Sequence, residues 1–298
     1  MKRSYVRQRA EIGIIGGSGL YDMEGLQGVT RVAVRTPFGV PSDSIVLGTL
    51  DSVRVAFLSR HGRGHRLSPS EINYRANIYA MKSLGVERVI SISAVGSMKE
   101  SLKEGDVVLP DQFIDLTKRR NSTFFDKGIV AHVAFGDPVC GSLAGALHKA
   151  AQEVGARVQS GGVYLCMEGP QFSTRAESLL YRQWGVDVIG MTNMPEAKLA
   201  REAELCYATV ALVTDYDCWH QSEAPVTAEA ILATLRKNVE LAKRVLRTVL
   251  PGARQPRACA CGGALETALV TSPRHIAADT KKRLALLIGR YLRPSRGA

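Results

Sequence analysis

The sequence predicts an α/β fold, a single domain with a central β-sheet flanked by helices. Apolar, strand-like runs alternate with helical segments along most of the 298 residues, which is typical of one sheet covered by helices on both faces. A chain of this length with 45% apolar residues can bury a large core, and no internal repeat or low-complexity linker divides it. We therefore expect a domain over residues 1–250 and a C-terminal extension, residues 251–298, that packs on it.

Three strands are predicted in the first 92 residues, at Glu11–Ile15, Val53–Ser59 and Val86–Ile92. The first strand breaks into the glycine loop Gly16–Gly19. Turn chemistry at residues 36–43 separates two further β-like runs. These elements predict a sheet whose strands end in short polar segments.

A helix is predicted between the last two of these strands. Ser68 and Glu71 have the spacing of a capping box, and Pro69 stands at the first helical position. Gly85 follows the last periodic residue, which is where a helix commonly ends. The sequence therefore places this helix between residues 69 and 84.

The second half of the chain alternates in the same way. Thr174 and Glu177 have capping-box spacing, and Gly155 and Gly185 are expected to end two helices. The expected elements are helices at 143–154, 174–184, 195–203, 227–250 and 276–291, the last of them basic, and strands at 163–167, 186–189 and 207–213.

The net charge of +11 suits either a nucleic acid or a small anionic substrate. The basic residues are spread along the chain except at its two ends, without aromatic interleaving or zinc-finger spacing, so a nucleic-acid-binding module is the weaker alternative. No run of about 18 apolar residues predicts a membrane span, and the charged amino terminus lacks the apolar segment of a signal peptide. We expect a cytoplasmic protein without a membrane partner.

Six cysteines are spread along the chain without a C-x-x-C pair. This spacing does not indicate a zinc site, and cytosolic thiols are normally reduced, so we expect buried or free thiols and no metal. The segment Cys259–Cys261 leaves a disulfide open, although a C-x-C pair can close only a small strained ring.

Four short segments at the ends of predicted strands carry polar groups. They are Gly16–Gly19, Arg60–His61, Ser93–Ala94 and Thr214–Asp217. Open α/β sheets bind ligands beyond the carboxyl ends of their strands, so these segments are expected to converge in space. The pattern predicts an enzyme site.

The first two segments predict a site for an anion. A dinucleotide-binding fingerprint fails, because Asp22 stands where its last glycine belongs. The loop instead suits an anion held by the Ser18 hydroxyl and by flexible backbone amides. Arg60 offers a planar fork that matches two phosphate oxygens, and His61 offers an adjacent imidazole donor.

The last segment carries two acids, Asp215 and Asp217, after a buried strand. Residues i and i+2 of an extended chain point to the same face. An unperturbed aspartate, with a pKa of about 3.9, holds a proton only about once in a thousand at pH 7. A second carboxylate and partial burial both raise the pKa. We therefore predict that this pair keeps a proton and shares it with a leaving heterocyclic base.

Six dispersed segments of the chain match the motifs of one enzyme family. They are Ile14–Leu20, Arg60–Gly62, Asn73–Asn77, Glu168–Ser178, Met191–Thr192 and Thr214–Trp219. In this order, over about residues 11–250, they closely resemble the methylthioadenosine phosphorylases, in the trimeric branch of the purine nucleoside phosphorylase family. The resemblance implies a mixed central sheet, phosphorolysis of 5′-methylthioadenosine to adenine and 5-methylthioribose 1-phosphate, no cofactor beyond phosphate, and a homotrimer, with a dimer of trimers left open.

The resemblance also implies roles for individual residues. The implied phosphate-binding residues are Ser18, Arg60, His61, Ser93, Ala94 and Thr192. The implied nucleoside-binding residues are Met191 at the ribose, Phe172 and Ser173 at the base, His132 from a neighbouring subunit, and Ala228, Ile231 and Leu232 around the 5′ group. The implied catalytic residues, at the adenine edge, are Asp215 and Asp217.

The two acids also favour one class of purine. Adenine carries an amino group at position 6, from which carboxylates accept, whereas a 6-oxo purine presents an acceptor that carboxylates repel. Two other enzymes stay open: a phosphorylase acting on adenosine, inosine or methylthioinosine, and a nucleosidase that uses water in place of phosphate. The phosphate ligand set speaks against the nucleosidase.

Overall fold

The fold is organised around a mixed sheet of eleven strands, in a computed structural model that describes residues 9–220, 228–253 and 255–292. The strands are β1 Ile12–Gly16, β2 Gln27–Val32, β3 Ile45–Leu50, β4 Val53–Ser59, β5 Arg88–Ser97, β6 Val107–Leu109, β7 Gln112–Asp115, β8 Val158–Ser160, β9 Val163–Cys166, β10 Val188–Gly190 and β11 Cys206–Asp215. The helices are α1 Tyr74–Ser83, α2 Gly141–Glu153, α3 Arg175–Gln183, α4 Asn193–Glu202, α5 Ala228–Ala253, α6 Ala278–Arg283 and α7 Ala285–Ile288. A single α/β domain with a mixed central sheet confirms the predicted fold class.

Strand β5 lies at the centre of this sheet. It pairs in parallel with β1 and β11, and near its carboxyl end it pairs in antiparallel fashion with β10. The main path runs β2-β3-β4-β1-β5-β10-β9-β7, while β11 pairs with β5 and β6, and β6 with β8. Because β1, β4, β5 and β11 run in one direction, their carboxyl ends lie at one edge of the sheet.

The pair formed by β5 and β11 positions that edge. Each strand has ten residues, and nine of the ten in β11 are buried, as expected for a strand covered on both faces. The register sets Cys206 opposite Arg88 and Asp215 opposite Gly96. The two strands therefore run side by side from the edge of the sheet at their amino ends to the edge at their carboxyl ends.

The predicted strand at 86–92 ends before β5 does. Residues 93–97 are small or polar, a composition typical of a loop, yet they continue the pairing with β11 and β10. Strands β6, β7 and β8, which have three or four residues each, are missing from the prediction.

The first predicted helix begins later than its capping pattern indicates. The Ser68 N–H does donate to Glu71 Oε2 at 2.9 Å, but these two residues close a separate turn. Helix α1 begins at Tyr74, where the Asn73 side chain caps it by accepting from the Ala76 N–H at 3.1 Å. The capping box was therefore the wrong start signal, since asparagine supplies the same chemistry closer to the periodic segment.

The second capping box is confirmed at the start of α3. The Glu177 N–H donates to Thr174 Oγ1 at 3.2 Å, and the Thr174 N–H donates to Glu177 Oε2 at 2.7 Å. Gly155 and Gly185 follow α2 and α3 with φ angles of 76° and 79°. Glycine adopts this left-handed conformation at low cost, which explains why it ends both helices.

The segment after α5 packs on the rest of the chain. Leu265, Leu284 and Ile288 are buried in the same hydrophobic cluster as Ile78 of α1. The basic helix predicted at 276–291 is broken at the buried Leu284 into α6 and α7. Burial of that leucine turns the chain onto the core, an effect that a local pattern does not reveal.

Four of the cysteines lie close together in space. Cys140 precedes α2, Cys206 begins β11, and Cys259 and Cys261 belong to the segment after α5. Their sulfur atoms all lie within 4.8 Å of one another. The spacing of the cysteines along the chain did not indicate this cluster, because the fold joins three segments that are distant in sequence.

None of the described helices is long and apolar enough to cross a membrane. Helix α5 has 26 residues, which is long enough for a span. Charged residues recur along it, however, among them Lys237, Glu240, Lys243 and Arg244.

Replacing Asn73 by alanine removes the cap of α1, and we expect it to lower the free energy of unfolding by about 1 to 2 kcal/mol. The side chain also donates to the Phe38 carbonyl at 2.8 Å, which places the loss at the upper end of that range. Ser68→Ala is the matched control and should cost about 0.5 kcal/mol or less. Urea unfolding measures both, and equal losses would contradict the observed start of α1.

Candidate active site

The predicted polar segments meet at the carboxyl edge of the sheet. The glycine loop follows β1, and Arg60 follows β4, with its N–H donating to the Gly16 carbonyl at 2.9 Å. Residues 93–94 lie in β5, and Asp215 ends β11 opposite Gly96. The structure therefore brings together the strand ends that the sequence indicated.

Arg60 is held in a buried ion pair. Its Nε and Nη2 donate to the two carboxylate oxygens of Glu196 at 2.8 and 2.9 Å. Nη1 donates to the Ile92 carbonyl, and Nη2 donates to the Ile15 carbonyl and the Ser91 hydroxyl. Burial alone would lower the pKa of Arg60, but the charge and hydrogen bonds of Glu196 raise it above its ordinary value. The fork predicted to face phosphate faces Glu196 instead, which leaves one Nη1 hydrogen without an acceptor among the described residues.

Glu196 is a site residue that the sequence reasoning missed. It is fully buried near the start of α4, and it also accepts from the Tyr207 hydroxyl at 3.0 Å. An acid in the first turn of a helix is an ordinary finding, because it complements the helix dipole. The one available signal was its place shortly after Thr192, in the same strand-end segment.

His61 lies beside Arg60 with its ring held on two sides. Its Nδ1 is 2.8 Å from the Leu67 carbonyl oxygen, and the ring stacks on His65 with the centroids 4.1 Å apart. Burial, helped by the charges of Arg60 and Arg120, lowers the pKa of His61 to about 4. Neutral His61 thus donates through Nδ1 and presents Nε2 as an acceptor. It becomes the predicted donor at Nε2 only when it is protonated.

Two hydroxyls predicted to hold phosphate are neighbours. Ser93 Oγ is 3.5 Å from Thr192 Oγ1 and 3.4 Å from the Tyr164 hydroxyl. Ser93 and Thr192 are buried, and Ala94 beside them is half-buried. Thr192 makes no capping bond to α4, so its hydroxyl can serve a ligand. Together these hydroxyls supply donors and acceptors for an anion.

Arg120 is a second site residue that the sequence reasoning missed. Its Nη1 donates to the carbonyls of Met191 and Met194 at 2.6 and 2.7 Å, and its Nη2 donates to the Glu168 carbonyl at 2.6 Å. These bonds fix the backbone of Met191, the predicted ribose contact. Arg120 belongs to a basic run at residues 118–120, and such a run ordinarily marks a solvated face.

Asp215 and Asp217 lie together beside Gly96 of β5. A Cβ atom added to Gly96 would be 3.0 Å from Asp215 Oδ1 and 3.4 Å from the Asp217 Cβ, so a side chain there would crowd both acids. Asp215 accepts from the Thr214 hydroxyl at 2.7 Å and from the Asp217 N–H at 2.8 Å. Asp217 accepts from the Ser178 hydroxyl at 2.6 Å. The pair is close, as predicted.

The reason for this closeness differs from the predicted one. Strand β11 ends at Asp215, and Asp217 lies in the following turn with a φ of 51°, so the i, i+2 rule for extended chain does not apply. Burial raises the pKa of both carboxyls, and the charge of Asp217 raises that of Asp215 further. The hydroxyl donors Thr214 and Ser178 oppose this effect without cancelling it. Both acids are therefore biased towards keeping a proton.

The loop of Phe172 and Ser173 lies next to the acids. The Cys218 thiol donates to the Ser173 carbonyl at 3.3 Å, which connects the loop to the residue after Asp217. Phe172 is 43% exposed, and the Ser173 hydroxyl lies 3.7 Å from Met167 Sδ. An exposed aromatic ring beside buried polar groups suits contact with a heterocyclic base.

The remaining predicted residues are not joined to this cluster by the described contacts. His132 is exposed, and its N–H donates to the Ala268 carbonyl at 2.8 Å; its contribution across a subunit boundary stays a prediction. The side chains of four others lie outside the described part of the chain: Ser18, Ala228, Ile231 and Leu232.

Comparison with known proteins gives concordant matches over most of the chain. The sequence model of the phosphorylase superfamily matches residues 11–251. The S-methyl-5′-thioadenosine phosphorylase of Geobacter sulfurreducens is 60% identical over 282 residues, which cover 94% of this chain and 99% of that protein. The crystal structure of a methylthioadenosine phosphorylase from an antarctic soil metagenomic library is 54% identical, with a TM-score of 0.89, over 94% of this chain and 99% of that one.

A more distant structure shares the same fold. The methylthioadenosine phosphorylase of Schistosoma mansoni, solved in complex with adenine, is 35% identical with a TM-score of 0.81, over 87% of this chain and 99% of that one. Sequence identity of this extent over nearly the full length of these proteins is a property of one family. The chain belongs to the S-methyl-5′-thioadenosine phosphorylase family of the phosphorylase superfamily.

Proposed function

We propose that the protein cleaves 5′-methylthioadenosine with inorganic phosphate, releasing adenine and 5-methylthioribose 1-phosphate. The observation that carries the proposal is the pair formed by half-buried Asp215 and buried Asp217 beside Gly96, close along β5 to the hydroxyls of Ser93 and Thr192. A proton-retaining group and an anion-binding group thus share one edge of the sheet. Phosphorolysis of an N-glycosidic bond needs both.

Phosphate is the nucleophile in this reaction. One phosphate oxygen forms a bond to the ribosyl C1′ as the bond from C1′ to adenine N9 breaks, and the electron pair of that bond passes to the base. The hydroxyls of Ser93 and Thr192 and the glycine-loop amides hold the anion, with His61 Nε2 accepting a phosphate O–H. The charges of Arg60 and Arg120, which lower the pKa of His61, attract the anion. These groups position the phosphate and stabilise its charge, and no covalent bond to the protein forms.

The departing adenine needs a donor and an acceptor. Neutral Asp215 donates a proton to N7 and so removes the negative charge that develops on the base. Asp217, in its carboxylate form, accepts from the exocyclic amino group. Phe172 contacts the ring, and Met191 lies against the ribose. A base with a 6-oxo group would set its oxygen against the Asp217 carboxylate.

We further propose a cytoplasmic homotrimer that uses phosphate as co-substrate and no other reaction cofactor. Leu179 and Leu180 on α3 and Trp184 directly after it are between 43% and 49% exposed, and such apolar patches are often covered by another subunit. In the trimer, His132 reaches the 5′ group bound by a neighbouring copy, beside the apolar residues at the start of α5.

Adenine release from methylthioadenosine, measured with and without phosphate, tests the proposed reaction. We expect release to require phosphate, and kcat/KM to be higher for methylthioadenosine than for adenosine or methylthioinosine. Undiminished release in phosphate-free buffer would identify a nucleosidase. A higher kcat/KM for methylthioinosine would identify a 6-oxopurine phosphorylase.

Asp215→Ala removes the proton donor, and we expect kcat to fall by about 10² or more. Asp279→Asn, at an exposed position in α6, is the matched control and should leave kcat unchanged. Initial rates at saturating phosphate and nucleoside measure both variants. An unaltered kcat in Asp215→Ala would remove the carboxyl from this role.

The raised pKa of Asp215 also predicts an alkaline limb in the rate. The neutral carboxyl is the active form, so kcat is highest below the raised pKa and falls as pH rises through it. His61, with its pKa lowered to about 4, is neutral above that pH and adds no alkaline limb of its own. The fall in kcat at high pH should be absent from Asp215→Asn. If this variant shows the same fall, the titrating group is not Asp215.

Asp217→Asn is expected to change the choice of purine. The asparagine amide donates to a 6-oxo group, which the carboxylate cannot do. The ratio of kcat/KM for methylthioinosine to that for methylthioadenosine should therefore rise, by about tenfold or more for one exchanged hydrogen bond. Ser178→Ala, which removes only the donor to Asp217, is the control and should leave the ratio near its original value. A ratio unmoved by Asp217→Asn would place the amino group elsewhere.

A further inference from the structure

A cluster of four cysteines lies at the end of β11 opposite to the active site. Cys206 begins this strand, whose other end is Asp215, and Cys140 directly precedes α2. Cys259 and Cys261 come from the segment after α5. Every pair of these sulfur atoms lies within 4.8 Å, and Cys206 and Cys259 are 3.3 Å apart.

We propose that these four cysteines bind one zinc ion in a structural site. Four thiolates at about 2.3 Å from Zn²⁺ form a tetrahedron whose sulfur atoms are about 3.8 Å apart, which matches the spacing of the cluster. Thiolates favour zinc over the hard cations Mg²⁺ and Ca²⁺. With four protein ligands no position is left for water or substrate, so the site stabilises structure and does no chemistry.

The burial of the cluster suits a closed metal site. Cys140, Cys206 and Cys261 are each at most 6% exposed, while Cys259 is half-buried. A cleft of ≈ 150 Å³ reaches three of the four, Cys140, Cys206 and Cys259. The cleft gives an ion a path to ligands that are otherwise shielded from solvent.

The charges around the cleft also suit a zinc tetrathiolate, which has a net charge of about −2. Arg88 and Arg257 both line the cleft, and Arg88 is held there by a bond to the Gln255 carbonyl. Glu87 lies 3.7 Å from Arg88 and 3.4 Å from Arg257 and offsets part of their charge. The amino end of α2, next to Cys140, adds the positive end of a helix dipole.

Zinc displaces a proton from each thiol that it binds and forms four Zn–S bonds. No atom changes oxidation state, so no oxidant is required.

A disulfide is the competing use of the same residues. None of the six cysteines is in a disulfide. Two bridges would draw the sulfur atoms into pairs at about 2.0 Å, whereas all four sulfur atoms here are mutual neighbours. A single ion at the centre of the cluster accounts better than two disulfides for four sulfur atoms that are all close to one another.

The site would anchor the C-terminal segment to the sheet. Cys259 and Cys261 stand just ahead of the residues that pack against α1, including Leu265 and Leu284. Metal binding adds its free energy to the folded form of the ligands that it joins. Loss of zinc should therefore loosen residues 255–292 before it disturbs the catalytic edge.

The full-length protein, purified in reducing buffer, is analysed for metal by plasma mass spectrometry. We expect about one zinc per chain. Cys261→Ser should lose nearly all of it, and Cys218→Ser, a cysteine outside the cluster, should keep it. Limited proteolysis after chelation should cut first within residues 251–264, and zinc should restore protection.

Cobalt substitution keeps the test valid if Cys261→Ser does not fold. The parent protein, stripped and reloaded with Co²⁺, should show the absorption of a tetrahedral cobalt tetrathiolate. Reduced protein without zinc, whose six thiols all react and which shows no such spectrum with Co²⁺, would overturn the proposal. Disulfides within the cluster, found by non-reducing mass spectrometry of protein that rejects Co²⁺, would overturn it in favour of redox bridging.

Discussion

The buried ion pair of Arg60 and Glu196 is the constraint on which the active-site edge depends. Two charges can leave water only if they are paired and their remaining donors are satisfied. Besides Glu196, the guanidinium bonds the carbonyls of Ile15 and Ile92, so a single side chain joins the ends of β1 and β4 and the middle of β5 to α4. Loss of the carboxylate would leave a buried cation, at a cost of about 3 to 5 kcal/mol. Most donors of the arginine therefore hold the site together, and few are left for a ligand.

Small residues in β5 make room for the groups that this frame positions. Gly96 lets the two acids approach the strand within van der Waals distance, and Ser93 leaves space for the Thr192 hydroxyl. The same small residues keep the strand end polar without a charge of its own. The burial that raises the pKa of Asp215 and Asp217 thus comes from close backbone packing, and a low local dielectric strengthens the hydrogen bonds that these acids make.

The sequence predicts those features that depend on local pattern, and it fails where partners come from distant segments. Apolar runs located the main strands, and the polar segments at their ends predicted a site at one edge of the sheet. Ser68 and Asn73 offer the same cap, so only the packing of α1 decides between them. Glu196 and Arg120 look like an ordinary helix acid and a surface base, and only tertiary contacts give them roles. The cysteine cluster joins three distant segments, which spacing along the chain cannot reveal.

Strand β11 has Asp215, the proposed proton donor, at one end and the cysteine cluster at the other. The buried residues between them separate the two sites. Nine of its ten residues are buried, and its register with β5 is regular until the irregularity beside Asp215. A zinc site at Cys206 therefore fixes the amino end of the strand. The position of Asp215 is set by the residues of β5 that it faces. The pKa of Asp215 depends first on local burial. A thiolate centre at Cys206 lies about 30 Å away along the strand, and its effect on that pKa is small because Coulomb energy falls with distance. Stability and catalysis thus draw on separate contacts of one strand, so a relative could lose the cysteines and keep the reaction.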